Sequence, residues 1–216
     1  MSTLIIDLCG TLIHENTTHG FIRWLALGGW QGHLHRLAMS RMVGWISTFS
    51  NRDLRRQMLI RGLKGASRDN LYQQAGAYIR YALHNNSNEA VLDAIVSASA
   101  RGDRIYLATA TLDPVAYAVT EALSMDGFVS ARLRYRQGRT CEGRLAMDTT
   151  GNKWDSLVER FSLTNNDSIL FYTDNEEDID VMKIAKHTYF LGERGAFNRL
   201  SSSLGGRISL LTEKCL

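Results

Sequence analysis

The chain has 216 residues, 44% of them hydrophobic and 22% charged, and a formal net charge of +3. That length supports one domain, or a domain with an insertion, and lets roughly 70% of the unfolded surface be buried, so the core needs no covalent staples. The three cysteines, Cys9, Cys141 and Cys215, lie far apart without a CxxC pair, which argues against a disulfide framework and a zinc site and for a reducing compartment. No basic region precedes the apolar run at 4–8, and no stretch approaches the ~20 apolar residues of a membrane span, so a soluble, cytoplasmic protein is expected.

In chain order, residues 3–7 read as a buried strand that ends in Asp7. From about 17 to 84 the pattern turns helical, with Phe21, Trp24, Leu25 and Leu27, then Leu54, Met58, Leu59 and Leu63, at three-to-four spacing. Beyond it come a helix at 88–100, a strand at 104–108 and a helix at 113–123. Residues 129–145 read as two short antiparallel strands turning at Gln137-Gly138. A helix at 153–161, a strand at 168–172, a helix at 176–185 and a strand at 188–191 follow. Strands separated by helices of about ten residues predict a parallel sheet covered on both faces. The fold class is therefore α/β, a doubly wound core of residues 1–14 plus 86–216 with a helical cap, 15–85, inserted after the first strand.

The charge is unevenly spread. Residues 21–80 hold ten Arg or Lys against Asp53 and Asp69, so this segment is basic by eight charges and the remainder acidic by five. Such a segment favours a phosphate-bearing or other polyanionic partner, with a solvated helical face as the plain alternative. Trp24, Trp30, Trp45, Phe21 and Phe49 with the cap arginines would also suit peripheral contact with an anionic membrane, or form the core of a small helical bundle. His33 and His35 are two apart and face different directions on a helix, so they make no metal pair. Nucleic acid is not the expected partner.

In open α/β sheets ligands bind beyond the carboxyl ends of the strands. Three polar residues directly follow strand-like runs, Asp7, Thr109 and Asp174, and Lys153 opens a helix between the last two. Together they hold what phosphoryl transfer needs: a carboxylate nucleophile, a hydroxyl and a fixed positive charge for the phosphate oxygens, and oxygen ligands for a divalent ion. Asp7 would attack, Thr109 and Lys153 would hold phosphate, and Asp174 with Asp7 and the backbone carbonyl of Cys9 would hold Mg²⁺. Asp178, one turn beyond Asp174, would orient a metal-bound water or Lys153. Simpler readings stand beside these: Thr109, Thr111 or Asp174 as helix N-caps, Lys153 as a solvated helix start, Glu177 and Asp180 as solvated helix charges.

The stretch Leu4-Ile5-Ile6-Asp7-Leu8-Cys9-Gly10-Thr11-Leu12 resembles the first motif of the haloacid dehalogenase superfamily, an apolar strand running into Asp-x-Asp-Gly-Thr-Leu. Asp7, Gly10, Thr11 and Leu12 match it and Cys9 departs from it. Ala108-Thr109-Ala110-Thr111 is similar to the Ser-Ala-Ser motif of phosphoserine-phosphatase-like members, and Thr173-Asp174-Asn175-Glu176-Glu177-Asp178 to their Gly-Asp-Ser-x-x-Asp. The resemblance implies a Rossmann-like core, a helical cap and a Mg²⁺-dependent phosphohydrolase acting on a small phosphorylated metabolite through an aspartyl-phosphate on Asp7. By the same resemblance Thr109, Ala110 and Lys153 contact phosphate, and Asp7, Cys9, Asp174 and Asp178 form the metal site.

Two departures qualify that expectation. In the family's phosphatases the second aspartate is the general acid and base, a role worth roughly 10²–10⁴ in rate that a thiol fills poorly. The consequences are a substrate needing little protonation, another acid such as His14 or the substrate itself, or a catalytically weak binding or regulatory protein; metal-free dehalogenation is a further rival. Cys9 as nucleophile or as plain packing are the other readings of that residue. Asn16, near the place where phosphoserine-phosphatase-like proteins carry an acidic substrate-recognising residue, offers an amide instead, which argues against a phosphoamino acid. Cys9 with Asn16-Thr17-Thr18 is similar to hydrolase-like proteins of bacterial surface-polysaccharide gene clusters, which implies a sugar- or lipid-linked phosphate.

Overall fold

A computed structural model describes residues 2–29, 52–165 and 167–211. Within them the strands are β1 (Thr3–Ile6), β2 (Arg104–Leu112), β3 (Gly127–Arg136), β4 (Thr140–Met147), β5 (Ile169–Thr173), β6 (His187–Phe190) and β7 (Ile208–Leu210). They form one sheet in the order β4-β3-β2-β1-β5-β6-β7, parallel throughout except for the antiparallel β3–β4 pair. All four residues of β1 are buried, because helices cover both faces of the sheet. The twofold alternation of a strand sends Leu4 and Ile6 into one core and Ile5 into the other.

The first core packs under α1 (Thr17–Trp24), α2 (Arg52–Arg61), α3 (Arg68–Asn86), α4 (Glu89–Ala100) and α5 (Asp113–Ala122), through residues such as Phe21, Leu59, Tyr78, Val91 and Val119. The second packs under α6 (Lys153–Phe161), α7 (Ile179–Ile184) and α8 (Arg194–Leu204), through Leu157, Val181 and Leu200. Asn16, Ser67 and Asn88 accept the amides of His19, Asn70 and Val91 and so start α1, α3 and α4. Each such cap contributes about 1 kcal/mol.

The helices between β1 and β2 are tied to the rest by main-chain bonds. Gly65 N donates to Cys141 O at 2.9 Å, Cys141 N to Ala66 O at 2.8 Å, and Arg68 N to Arg139 O at 2.7 Å, so the α2–α3 loop covers the outer edge of β4. Tyr72 adds a hydrogen bond from α3 to Asp113 at the start of α5, 2.8 Å. The β3–β4 turn places Gln137 (φ 49) and Gly138 (φ 69) in the left-handed region, the backbone hand that matches the twist of a hairpin.

Several elements differ from the expectations above. The strand expected at 104–108 runs on to Leu112 with a register shift against β3 between Ala108 and Leu112, so Thr109 lies inside β2. The helix at 176–185 divides into a 3-10 turn, Glu176–Asp178, and α7. Neither α8 nor β7 was anticipated: α8 carries Ala196, Leu200 and Leu204 at four-residue spacing, whereas β7 holds only three residues. Cys9 and Cys141 are unpaired thiols, while Cys215 and the cap residues Trp30, Trp45, Phe49, His33 and His35 lie outside the described residues. Among the described residues no helix is long and apolar enough to cross a membrane.

Phe171 is fully buried on β5, beside the central strand β1, and packs in the second core. Its replacement by alanine is expected to lower the unfolding free energy by about 3–5 kcal/mol, read from urea denaturation followed by circular dichroism.

Candidate active site

The last rung between β1 and β5 is the bond from Asp7 N to Tyr172 O, 2.9 Å. Beyond it the two strand ends separate, and this is where the chain order reverses, since β1 leads to β2 on one side and β5 returns on the other. A tight loop follows Asp7, with Gly10 N bonded to Ile13 O and both Leu12 N and Ile13 N to Leu8 O; none of these bonds uses the Cys9 carbonyl. Gly10 has φ +78, and the carboxylate of Asp174 stands where its Cβ would be. Thr11 Oγ1 donates to Asp174 Oδ1 at 3.0 Å. A glycine and a threonine thus draw the carboxylate at the end of β5 against the loop after β1.

Lys153 enters from the first position of α6. Its Nζ donates to Asp7 Oδ1 at 2.9 Å and to Asp178 Oδ2 at 2.7 Å, and the residue is only 4% exposed. Thr173 Oγ1 donates to the same Asp178 oxygen at 2.6 Å. Asp180 Oδ2 accepts Trp154 N at 2.9 Å and so caps the helix that carries the lysine, correcting the expectation of a solvated charge. Of its two expected roles, Asp178 is found in contact with Lys153. Asn175, not Asp174, caps the 3-10 turn, accepting Glu177 N at 3.1 Å.

Burial disfavours the Lys153 charge, but Asp7 and Asp178 together outweigh it and hold the ammonium well above its ordinary pKa. Burial pushes the Asp7 carboxyl up against the pull of Lys153, and Asp174 adds to the push. Asp178 is raised to about 6 by burial, opposed by Lys153 and reinforced by Asp7. Asp174 is likewise raised by burial, against its bond from Thr11. Three carboxylates face one ammonium, so ionisation of all of them would leave two negative charges. That surplus, with oxygen donors alone, fits a hard divalent cation such as Mg²⁺, which binds one or two carboxylates and keeps several waters. Among the described residues no three His, Cys, Asp or Glu side chains form a group that could hold a metal, so an ion here would rest on fewer carboxylates with main-chain oxygen and water.

All eight residues singled out in the sequence, Asp7, Cys9, Asn16, Thr109, Ala110, Lys153, Asp174 and Asp178, line one cavity of about 760 Å³. Asn16 spends its side-chain oxygen on the α1 cap. His14 lies elsewhere, on a second cavity with Gly10, Asn88 and Leu191, whereas His19 lines the first. The His19 imidazole is held below its ordinary pKa by burial and then by Arg55 and Arg23, which favours the neutral ring.

Further residues steady the irregular end of β2 that follows Ala108. Thr149, fully buried, donates to Thr109 O at 2.7 Å, and Arg56 donates to Ala110 O at 2.8 Å while clasping Asp148 through both nitrogens. Thr111 N donates to Thr109 Oγ1. Thr111 is no helix cap; Leu112 takes that position. Its hydroxyl instead meets those of Thr17 and Thr18 at 2.8 and 3.0 Å. Thr17 in turn meets Cys9 Sγ with its hydroxyl at 2.9 Å and its amide at 3.4 Å. Burial, then the charge of Asp7, lifts the Cys9 thiol to about 11, so it remains neutral near pH 7 and is neither a thiolate nucleophile nor a ready acid. Thr149 and His19 were missed in the sequence, with Thr149-Thr150 shortly before Lys153 the one signal for the former, and Arg56 was read only as part of the basic segment 21–80.

Residues 4–183 match the sequence profile of the haloacid dehalogenase-like hydrolases, and the chain belongs to that family. Among curated proteins none matches it. Among solved structures it is similar to a protein of unknown function from Bordetella pertussis Tohama I, with TM-score 0.77 and 17% identity over 96% of this chain and 98% of that one. A phospho-aspartyl intermediate analogue of phosphoserine phosphatase gives TM-score 0.61 and 14% identity over 99% and 93%. A phosphoserine phosphohydrolase-like protein from Francisella tularensis gives 0.58 and 13% over 97% and 95%. At these identities the likeness establishes a shared fold.

Lys153→Met would leave two carboxylates buried without a counter-charge and is expected to destabilise the fold by about 3–5 kcal/mol near neutral pH. Asp178, raised from 3.8 to about 6, binds its proton more tightly when folded, so its contribution is full below about pH 4 and is lost as pH rises through 6. Urea titrations of the variant should accordingly show a smaller deficit at about pH 4 than at neutrality.

Proposed function

We propose that this haloacid dehalogenase-like hydrolase is a Mg²⁺-dependent phosphomonoesterase that works through an aspartyl-phosphate on Asp7 and turns over slowly because position 9 lacks a carboxyl. The observation that carries this reading is the Lys153 ammonium bridging Asp7 and Asp178 beside Asp174, on the wall that also presents Thr109. Asp7, Asp174 and the Cys9 carbonyl would hold the ion, which supplies positive charge to the phosphate oxygens when bound.

The Asp7 oxygen not bonded to Lys153 attacks phosphorus as the bond to the leaving oxygen breaks. Lys153 pulls against the burial that favours a protonated Asp7 and orients its carboxyl, and with Thr109 it offsets charge on the phosphoryl oxygens. The leaving oxygen takes its proton from solvent or substrate, since the Cys9 thiol is a poor donor. Water then attacks the phosphorus of the aspartyl ester, releasing inorganic phosphate and restoring Asp7, again without a carboxylate at position 9 to take the water's proton.

A small polar substrate, such as a sugar- or lipid-linked phosphate, fits a cavity whose walls combine Arg55, Arg56 and His19 with Glu176, Glu177 and Glu193. Asn16 in place of an acidic group argues against an amino-acid ammonium.

Hydrolysis of an aryl and an alkyl phosphate should be followed in Mg²⁺ buffer. Asp7→Asn is expected to abolish it, and chelation to stop it until Mg²⁺ is restored. Cys9→Asp, whose carboxylate would meet the Thr17 amide and hydroxyl, should raise kcat by up to about 10²–10⁴, more for the alkyl ester because its leaving oxygen needs the proton more. Activity that persists after chelation would point to metal-free dehalogenation instead, and silence in both parent and Cys9→Asp would point to a binding protein.

A further inference from the structure

The outward face of the β3–β4 hairpin is a row of arginines. Along β3 the residues alternate, with Leu133 buried and Tyr135 partly covered while Arg132, Arg134 and Arg136 are exposed. Arg144 on β4 joins them across the pair. The side chains of Arg134, Arg136 and Arg144 are 56%, 75% and 62% exposed, although each is within ion-pair reach of Glu142. One carboxylate shared by three guanidiniums offsets a single charge. Main-chain bonds from Gly65 and Arg68 bring the loop 61–68 alongside, adding exposed Arg61 and Lys64, while Arg68 lies over the Tyr72 and Tyr135 rings on the other side of β3, followed by exposed Asp69. Without Arg68, residues 61–69 and 127–147 hold seven Arg or Lys against Asp69 and Glu142, in a chain whose net charge is +3.

Between the hairpin and that loop lies a notch of about 320 Å³, lined by Lys64, Gly65, Arg136, Thr140, Glu142 and Arg144 among others. We propose that this face is the contact surface for an anionic lipid bilayer, with a lipid phosphate group seated in the notch between Lys64, Arg136 and Arg144. Clustered Lys and Arg on a fixed surface attract anionic headgroups, each contributing roughly a fivefold gain in binding, and basic notches take individual headgroup phosphates. Guanidiniums additionally grip phosphate in a two-pronged way. A nucleic-acid strand is the weaker fit, because the exposed face of the hairpin carries no aromatic ring on which a base could stack. The contact sits at headgroup level, since no large apolar side chain is exposed among these arginines.

Cosedimentation with vesicles tests this without any substrate, so the result is independent of turnover. The protein is expected to bind vesicles of equal phosphatidylcholine and phosphatidylglycerol, to ignore phosphatidylcholine alone, and to be released by raised salt. Arg136→Glu with Arg144→Glu should weaken binding by at least about 25-fold, at roughly fivefold for each arginine. Arg136→Gln with Arg144→Gln, a gentler change at the same exposed sites, should weaken it in the same direction with an unaltered thermal melt. Equal binding to both vesicle types, binding unaffected by either double variant, or stronger retention on duplex DNA than on the anionic vesicles at the same salt would overturn the proposal.

Discussion

The Lys153 ammonium, held between Asp7 and Asp178, is the constraint on which the site depends. Two carboxylates that close in a buried setting repel, and Asp174 adds a third. One positive charge inside the cluster is what allows them to share a cavity. To place it there, the start of α6 must meet the end of β1, and the structure spends several bonds on that alignment. Asp180 caps α6, Thr173 fixes the far carboxylate, and the second core packs Leu157 of the same helix under the sheet. The energetics of the fold and the chemistry of the pocket therefore converge on one helix terminus.

Cys9 sits beside that arrangement in a network of its own. Its thiol takes the Thr17 amide and meets the Thr17 hydroxyl, which continues through Thr111 to Thr18. A neutral chain of small polar groups thus joins the loop after β1 to the first turn of α1 and to β2. It keeps the inserted helices in register with the pocket while offering no group that exchanges protons readily near neutrality. The site thus sets three carboxylates and one ammonium beside a thiol that stays neutral near pH 7.

Much of this was legible in the chain because strand ends announce themselves. Asp7, Thr109 and Asp174 each follow an apolar run, and in a parallel sheet such positions share one edge. Lys153 was legible by position at a helix start, and contact with it was one of the two roles expected of Asp178. Thr149 escaped notice since its contact is to a main-chain carbonyl, which any residue supplies, and Arg56 because Asp148 and Ala110, which it binds, lie more than fifty residues away. Asp180 looked like an ordinary helix charge because the amide it caps belongs to a helix 26 residues earlier. The short strand β7 holds only three residues, too few for a periodic signal.

Periodicity and local chemistry, which act over a few neighbouring residues, determined by themselves the alternation of strands and helices, the parallel sheet, the hairpin turn and the set of polar residues at the strand ends. Tertiary structure alone decided which of those residues touch, how burial and mutual charge reset their protonation, and that the hairpin arginines come to lie beside Lys64. Those outcomes depend on distances between segments remote in the chain and on exclusion of water, and neither is encoded in the spacing of residues along it.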